Sequence, residues 1–192
     1  MPPKAKFTKE QIVEAGLDIV RSYGIEYLTA RALSKKLNSS ACPIFTIFQN
    51  MEEVQMKVKE SAKEVYGEYI KAGLQMNPAF KGVGMQYIIF AIKEPKLFQL
   101  LFMTEQKSNP KVNNVLPVID DNYEAILASV QNGYNLSKSN AERLYQHLWI
   151  YTHGIAVLCA TNTCKFTSEE ISRLISEIFK GMLKEILGEI KQ

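Results

Sequence analysis

Residues 28–54, LTARALSKKLNSSACPIFTIFQNMEEV, decide how the chain is read. Helix-forming residues flank Leu37-Asn38-Ser39-Ser40. Asn38 tolerates the left-handed backbone that a tight turn needs. Ser40 is expected to cap a second helix by accepting a hydrogen bond from an amide of its first turn. Pro43 then falls in that first turn, where a missing N–H costs little. Two short helices around a three- or four-residue turn make the shape that enters a DNA major groove.

Working outward toward the N-terminus, Thr8 and Gln11 form a capping box, and Phe7 with Ile12 a hydrophobic staple across it. Ile12, Ala15, Ile19, Val20 and Tyr23 follow at helical spacing, and Gly24 ends the helix. Thr29 is placed to cap the next helix. Leu33 and Leu37 face back toward the first. Three small helices are thus expected, with a core of Ile12, Ile19, Leu28, Leu33, Leu37, Ile44, Phe45 and Phe48.

Toward the C-terminus, Asn50 caps a fourth helix with Glu53 three residues on. Its apolar pattern reads Val54, Val58, Ala62, Val65, Tyr69. Further helical stretches are predicted near 79–94, 96–105, 111–133, 137–161 and 167–190. Pro78, Pro95 and Pro110 punctuate them, and Pro117 starts or kinks its helix. No alternating strand pattern of useful length appears, so the fold class is all-α: an N-terminal three-helix module (1–49) and a C-terminal helical bundle (50–192). Residues 144–159 are apolar nearly all round. The last helix carries a second capping box, Thr167 to Glu170, stapled by Phe166 and Ile171. Its wide apolar stripe runs from Ile171 to Ile190. A helix apolar all round must be covered on more than one side. Two such helices predict a four-helix bundle built from two chains, and a twofold dimer is the commonest oligomer.

The net charge of +3 sits in the first quarter of the chain: residues 1–49 hold seven Lys/Arg against four acids, and the rest balances. That asymmetry fits a small nucleic-acid-binding module joined to a neutral domain. No apolar run approaches the ~20 residues needed to cross a bilayer, so no membrane partner is expected. MPPKAKFTKE has no apolar region behind its basic residues and does not read as a secretory signal. Cys42, Cys159 and Cys164 are few and odd in number, which argues for a reducing cytoplasm.

The N-terminal fifty residues resemble the tetracycline-repressor (TetR) family of bacterial regulators. The matching residues are Leu28-Thr29, Arg31, Leu33-Ser34, Leu37-Asn38-Ser39-Ser40, Phe45-Thr46-Ile47-Phe48 and Met51-Glu52-Glu53-Val54, in register without gaps. A second likeness, Trp149-x-x-x-His153-Gly154, is similar to the Trp-His-Gly pattern of one TetR subgroup. The resemblance implies a cytoplasmic, dimeric regulator that binds a quasi-palindromic double-stranded DNA operator and is released by a small-molecule effector. It also implies a pocket in the larger domain.

Three positions depart from the family pattern. Phe45 stands for a usual Tyr, Ile47 for a frequent His and Met51 for a Lys, which removes groups that grip phosphates. Lys4, Lys6, Thr29, Arg31, Ser39 and Ser40 are therefore the expected backbone contacts, with Lys35 and Lys36 as further cations. Pro2-Pro3-Lys4-Ala5-Lys6 is an arm that could follow a groove. Ala41, Cys42, Pro43 and Thr46 are the candidates to meet base edges, where small apolar groups favour thymine methyls. Phe45 is a further DNA-contact candidate, but with Phe48 it is expected first in the core.

Met85, Phe90, Phe102, Tyr123, Trp149 and His153 are the expected pocket wall, with Phe98 and Met103 nearby. Few charges fall within these helices, so a mostly apolar effector is expected. A helical small-molecule-binding protein that has lost specific DNA binding is the alternative. There is no nucleophile elbow, phosphate-binding loop or His-Glu-x-x-His pair. Neither catalysis, a cofactor nor a zinc site is expected.

Overall fold

The computed structural model describes residues 6–105 and 110–190; Lys4 and the rest of the expected arm before Lys6 lie outside them, as do the side chains of Glu189 and Ile190. Ten α-helices and two short 3-10 turns make up the regular structure of the described residues, with no strand among them. They divide into two compact units. The first holds Met1–Tyr66 and Glu94–Thr104, the second Gly67–Lys93 and Glu105–Gln192. These limits differ from the boundary expected at 49/50, because most of the fourth helix and a later short helix pack with the N-terminal elements.

In the first unit, α1 spans Lys9–Tyr23. Thr8 accepts from the Gln11 N–H at 3.2 Å and the Gln11 side chain accepts from the Thr8 N–H at 2.9 Å, as the capping box requires. Gly24 ends the helix at φ 107°, a conformation that costs glycine little. Helix α2 (Ala30–Lys36) starts at Thr29, whose hydroxyl accepts from Ala32 N–H at 3.2 Å. Asn38 turns the chain at φ 48°. Helix α3 is short, Cys42–Phe45.

The cap expected from Ser40 is not there. The residue before α3 is Ala41, already helical at φ −73°, and no side chain caps the amides. The chain turns into the helix one residue later than the Ser-for-cap reading assumed, with Pro43 in the first turn as expected. Phe45 also departs from expectation: it is 44% exposed, while Ile44 and Phe48 are buried at 0% and 1%. A helix this short has one inward face, and Ile44 with Phe48 one turn later fills it.

Helix α4 is Met51–Leu74. The Asn50 side chain accepts from Glu53 N–H at 2.9 Å, and the Glu53 carboxylate accepts from Gln49 N–H at 2.8 Å. Lys9 binds the same carboxylate at 3.4 Å and lies 5.1 Å from the centre of the Phe48 ring. The buried side chains of α4 are Val54, Val58, Ala62, Tyr66 and Ile70, four residues apart. The expected shift to Val65 and Tyr69 does not occur, because the aromatic ring at Tyr66 can keep the same row inward. Gly16 lets α4 approach α1, since a Cβ there would lie 2.7 Å from Val58 Cγ2. Helix α6 (Pro95–Phe102) completes the unit against α1, where Arg21 Nε donates to Glu94 at 2.8 Å.

In the second unit, α5 is Ala79–Lys93, α9 is Lys138–Ala160 and α10 is Ser168–Ile190. The stretch expected as one helix over 111–133 is divided. Val115–Ile119 forms α7 with Pro117 in its first turn, Asp120–Asn122 makes a turn, and α8 runs Tyr123–Tyr134. Asp120 causes the break: its carboxylate accepts from both the backbone N–H (2.9 Å) and the amide of Asn122 (3.0 Å), a local bond that competes with a helix. An aromatic chain links α8, α10, α5 and α9: Tyr134–Phe179 at 4.8 Å, Phe179–Phe80 at 6.5 Å, Phe80–Tyr145 at 5.8 Å. The second capping box is formed, with Glu170 N–H bonded to Thr167 at 3.2 Å and Thr167 N–H to Glu170 at 2.8 Å.

Replacing Asn50 with Ala should cost about 1 kcal/mol in chemical denaturation, the usual worth of a cap. The Glu53 carboxyl is held below its ordinary 4.5, first by the Gln49 N–H and then by Lys9. Its stabilisation is therefore present above that value and lost as pH falls through the lowered one. Glu53→Gln should flatten the fall in melting temperature on acidification below about pH 4.5. A Cβ on Gly82 would overlap the Gly73 carbonyl, whereas one on Gly133 meets nothing. Gly82→Ala should destabilise by about 1–3 kcal/mol and Gly133→Ala should not.

Candidate functional site

The sequence-predicted DNA contacts that the structure describes all fall in the first unit. Thr29, Arg31, Ser40, Cys42, Phe45 and Thr46 are exposed, and Ser39, Ala41 and Pro43 half-buried. Cys42, Phe45 and Thr46 form the outer side of α3, opposite Ile44. The Thr46 hydroxyl donates back to the Pro43 carbonyl at 2.7 Å, which leaves its oxygen outward as an acceptor. Lys6 crosses from the N-terminal segment to the turn, where its ammonium donates to Ser39 Oγ at 3.1 Å. Two of the expected contacts are thereby brought together. Lys36 is instead paired with Asp18 at 3.0 Å, so that cation is spent within the unit. Arg31 and Lys35 are exposed four residues apart on α2, and Tyr27 is exposed in the 3-10 turn that precedes it.

In the second unit the side chains of Trp149 and His153 stack, centroids 5.1 Å apart and planes 27° apart, as their i, i+4 spacing allows. Both converge on Tyr87 of α5. The indole N–H of Trp149 donates to the Tyr87 oxygen, and that hydroxyl lies 2.9 Å from His153 Nδ1. Burial pushes the Tyr87 hydroxyl far above its ordinary pKa and pushes the His153 imidazole below its ordinary 6.5. We assign Tyr87 as the donor to Nδ1, because its buried O–H needs an acceptor and the indole N–H of Trp149 can only donate. Neutral His153 then carries its ring proton on Nε2.

A second polar group lies in the same unit. The rings of Tyr123 and Tyr145 stack at 5.8 Å, and Tyr123 donates to Glu142 at 3.2 Å. Burial and then the Glu142 charge push the Tyr123 hydroxyl up to about 12. Burial and then Asp120 push that of Tyr145 up. Asp120 is only 5% exposed and its charge acts on both Tyr87 and Tyr145.

Of the expected pocket wall, then, Trp149, His153 and Tyr123 stand among linked polar aromatics. Met85 is half-buried on α5. Phe90 is wholly buried, edge-on to Tyr69 at 5.3 Å. Phe102 does not belong with them. It packs in the first unit on Tyr66 at 4.9 Å and Phe98 at 5.4 Å, because α6 docks on α1. Tyr87, Tyr145, Asp120 and Glu142 escaped the sequence reading. Each sits on a different element or turn of helix from its partner, and no spacing rule links α5 to α9.

Searches against family models and curated proteins match nothing. Among the described residues no helix is long and apolar enough to cross a membrane.

His153 should titrate, by proton NMR of the imidazole, with a midpoint below 6.5. Tyr87→Phe removes a hydrogen bond that favours the neutral ring, and the midpoint should rise. A midpoint that stays put on that change would show that the Tyr87 hydroxyl does not bond Nδ1.

Proposed function

We propose that this chain is a ligand-responsive DNA-binding transcriptional regulator of the tetracycline-repressor type, cytoplasmic, acting as a homodimer and as a repressor. The observation that carries the reading is the outward presentation of Cys42, Phe45 and Thr46 on α3. A phenyl ring 44% exposed stands beside a thiol and a hydroxyl on that side. It suits thymine methyls and the apolar parts of base edges. The αL turn at Asn38, the Thr29 cap, and exposed Lys6, Arg31 and Lys35 around it supply the phosphate side of such an interface.

The dimer is supported by α9 and α10. Ile150 and Leu158 are exposed at 48% and 38% and share one side of α9 with Gly154; Leu187 of α10 is exposed at 40%. A Cβ on Gly154 would meet nothing within the chain. Glycine inside a helix costs about 1 kcal/mol relative to Ala, so a close-packed second copy gives it a reason to be there. Two α3 helices would then read half-sites about 34 Å apart.

The effector is placed against Trp149, His153 and Tyr123. With Glu142, Asp120 and two further tyrosine hydroxyls nearby, it is less purely apolar than the sequence suggested. It acts by favouring a spacing of the two DNA-binding units that no longer fits the operator. A helical small-molecule-binding protein without specific DNA binding is favoured only by the loss of phosphate-gripping side chains at Phe45, Ile47 and Met51.

Selection of binding sites from random double-stranded DNA should yield a quasi-palindrome, with affinity falling steeply as salt rises. Arg31→Ala should weaken binding and lower the salt slope by about 1 if Arg31 neutralises a phosphate. Binding that shows neither preferred sequence nor salt dependence would sink the regulator reading in favour of the ligand-binding one. In sedimentation, the wild type should be a dimer and Ile150→Glu with Leu158→Glu a folded monomer. A wild type that is monomeric at tens of micromolar would remove the dimer.

A further inference from the structure

We propose that Cys159 and Cys164 form a peroxide-oxidisable dithiol that closes into an intramolecular disulfide at the C-terminal end of α9. Helix α9 ends in a left-handed turn at Asn162, φ 54°. Asn162 N–H bonds to the Cys159 carbonyl at 3.0 Å and Thr163 N–H to the Leu158 carbonyl at 3.0 Å, the paired bonds of a Schellman cap. The chain is thereby folded back over its own last turn. Cys164 N–H also reaches the Leu158 carbonyl, at 3.2 Å. The carbon of that carbonyl is bonded to the Cys159 nitrogen, so covalent dimensions keep the two Cα atoms within about 7.5 Å. Disulfides span roughly 4.4–6.8 Å between Cα atoms. At most a small adjustment is needed, and residues 161–165 are exposed and able to make it.

The two thiols are unequal in a way that suits the chemistry. Cys164 is exposed, its Sγ 3.7 Å from the Lys165 carbonyl oxygen, whereas Cys159 is buried. Burial, and then the nearby Cys164 charge, push the Cys159 thiol up, which makes Cys159 the slower of the two to meet an oxidant. In the first step the Cys164 thiolate attacks one oxygen of hydrogen peroxide. The O–O bond breaks, and the departing hydroxide takes up a proton to become water. Cys164 is left as a sulfenic acid. In the second step the Cys159 sulfur attacks the Cys164 sulfur. The S–S bond forms and the S–O bond breaks, and the hydroxide leaves with the Cys159 proton as a second water. Two thiols have lost two electrons and two protons, and one peroxide has become two waters. A thiol reductant reverses the change.

The full chain would be treated with hydrogen peroxide in its native state, alkylated in denaturant, and examined by intact mass and peptide mapping. The expected product is a chain lighter by two hydrogens, with Cys159 and Cys164 joined and the mass restored by dithiothreitol. Cys164→Ser, an exposed change that should leave the fold intact by circular dichroism, should lose the cross-link and leave Cys159 fully alkylated. Cys164 accumulating as sulfinic acid while Cys159 stays reduced would overturn the proposal. So would a Cys164 disulfide that joins two chains.

Discussion

The second unit is organised by the burial of α9. Nine of its residues, from Ala141 to Ala160, are buried, and α5, α8 and α10 all pack on it. Burying each large aliphatic chain contributes roughly 1.5–3 kcal/mol, so Leu144, Leu148 and Ile155 dominate. The one polar residue fully committed to this face, Thr152, is satisfied within its own helix by the Leu148 carbonyl at 2.9 Å. It therefore imposes no partner on its neighbours. Across from it Gly84 brings α5 close, with a Cβ position 3.6 Å from Thr152 and from Ile175. The Trp149–Tyr87–His153 contact is a consequence: once α5 and α9 lie this close, the buried Tyr87 and the half-buried Trp149 and His153 must bond one another or lose hydrogen bonds.

The first unit is held differently. Its apolar core is small, and ion pairs and caps finish it. Lys9 and Asn50 converge on the start of α4, and Arg21 on the start of α6. Surface pairs of this kind are individually weak, but each sits at a helix terminus where backbone groups also need partners. What is left outside that core is α3's outer face. The same geometry that buries Ile44 and Phe48 obliges Cys42, Phe45 and Thr46 to point away.

Much of this was legible in the chain. Both Thr capping boxes, the Thr29 and Asn50 caps, the Gly24 stop and the αL Asn38 were readable, because each rests on a bond between residues at most four apart. The all-α class followed from periodicity alone. Phe45, Tyr66 and the Asp120 turn were misread because each had two locally acceptable outcomes. A phenyl ring at Phe45 satisfies the helix pattern whether it faces core or solvent, and Val65 or Tyr66 could each continue a stripe. Which outcome held depended on the space left by other helices.

The sequence by itself determined the helical class and where the capped helices begin, at Thr8, Thr29, Asn50 and Thr167, since capping chemistry is local. It also determined that the excess positive charge lies within the first 49 residues. Only the tertiary structure decided that Phe102 packs on Tyr66 and Phe98, that Lys36 is consumed by Asp18, and that Tyr87, Trp149 and His153 meet. Those outcomes rest on packing between residues tens of positions apart, where the accessible volume between helices, not the spacing along the chain, selects the partner.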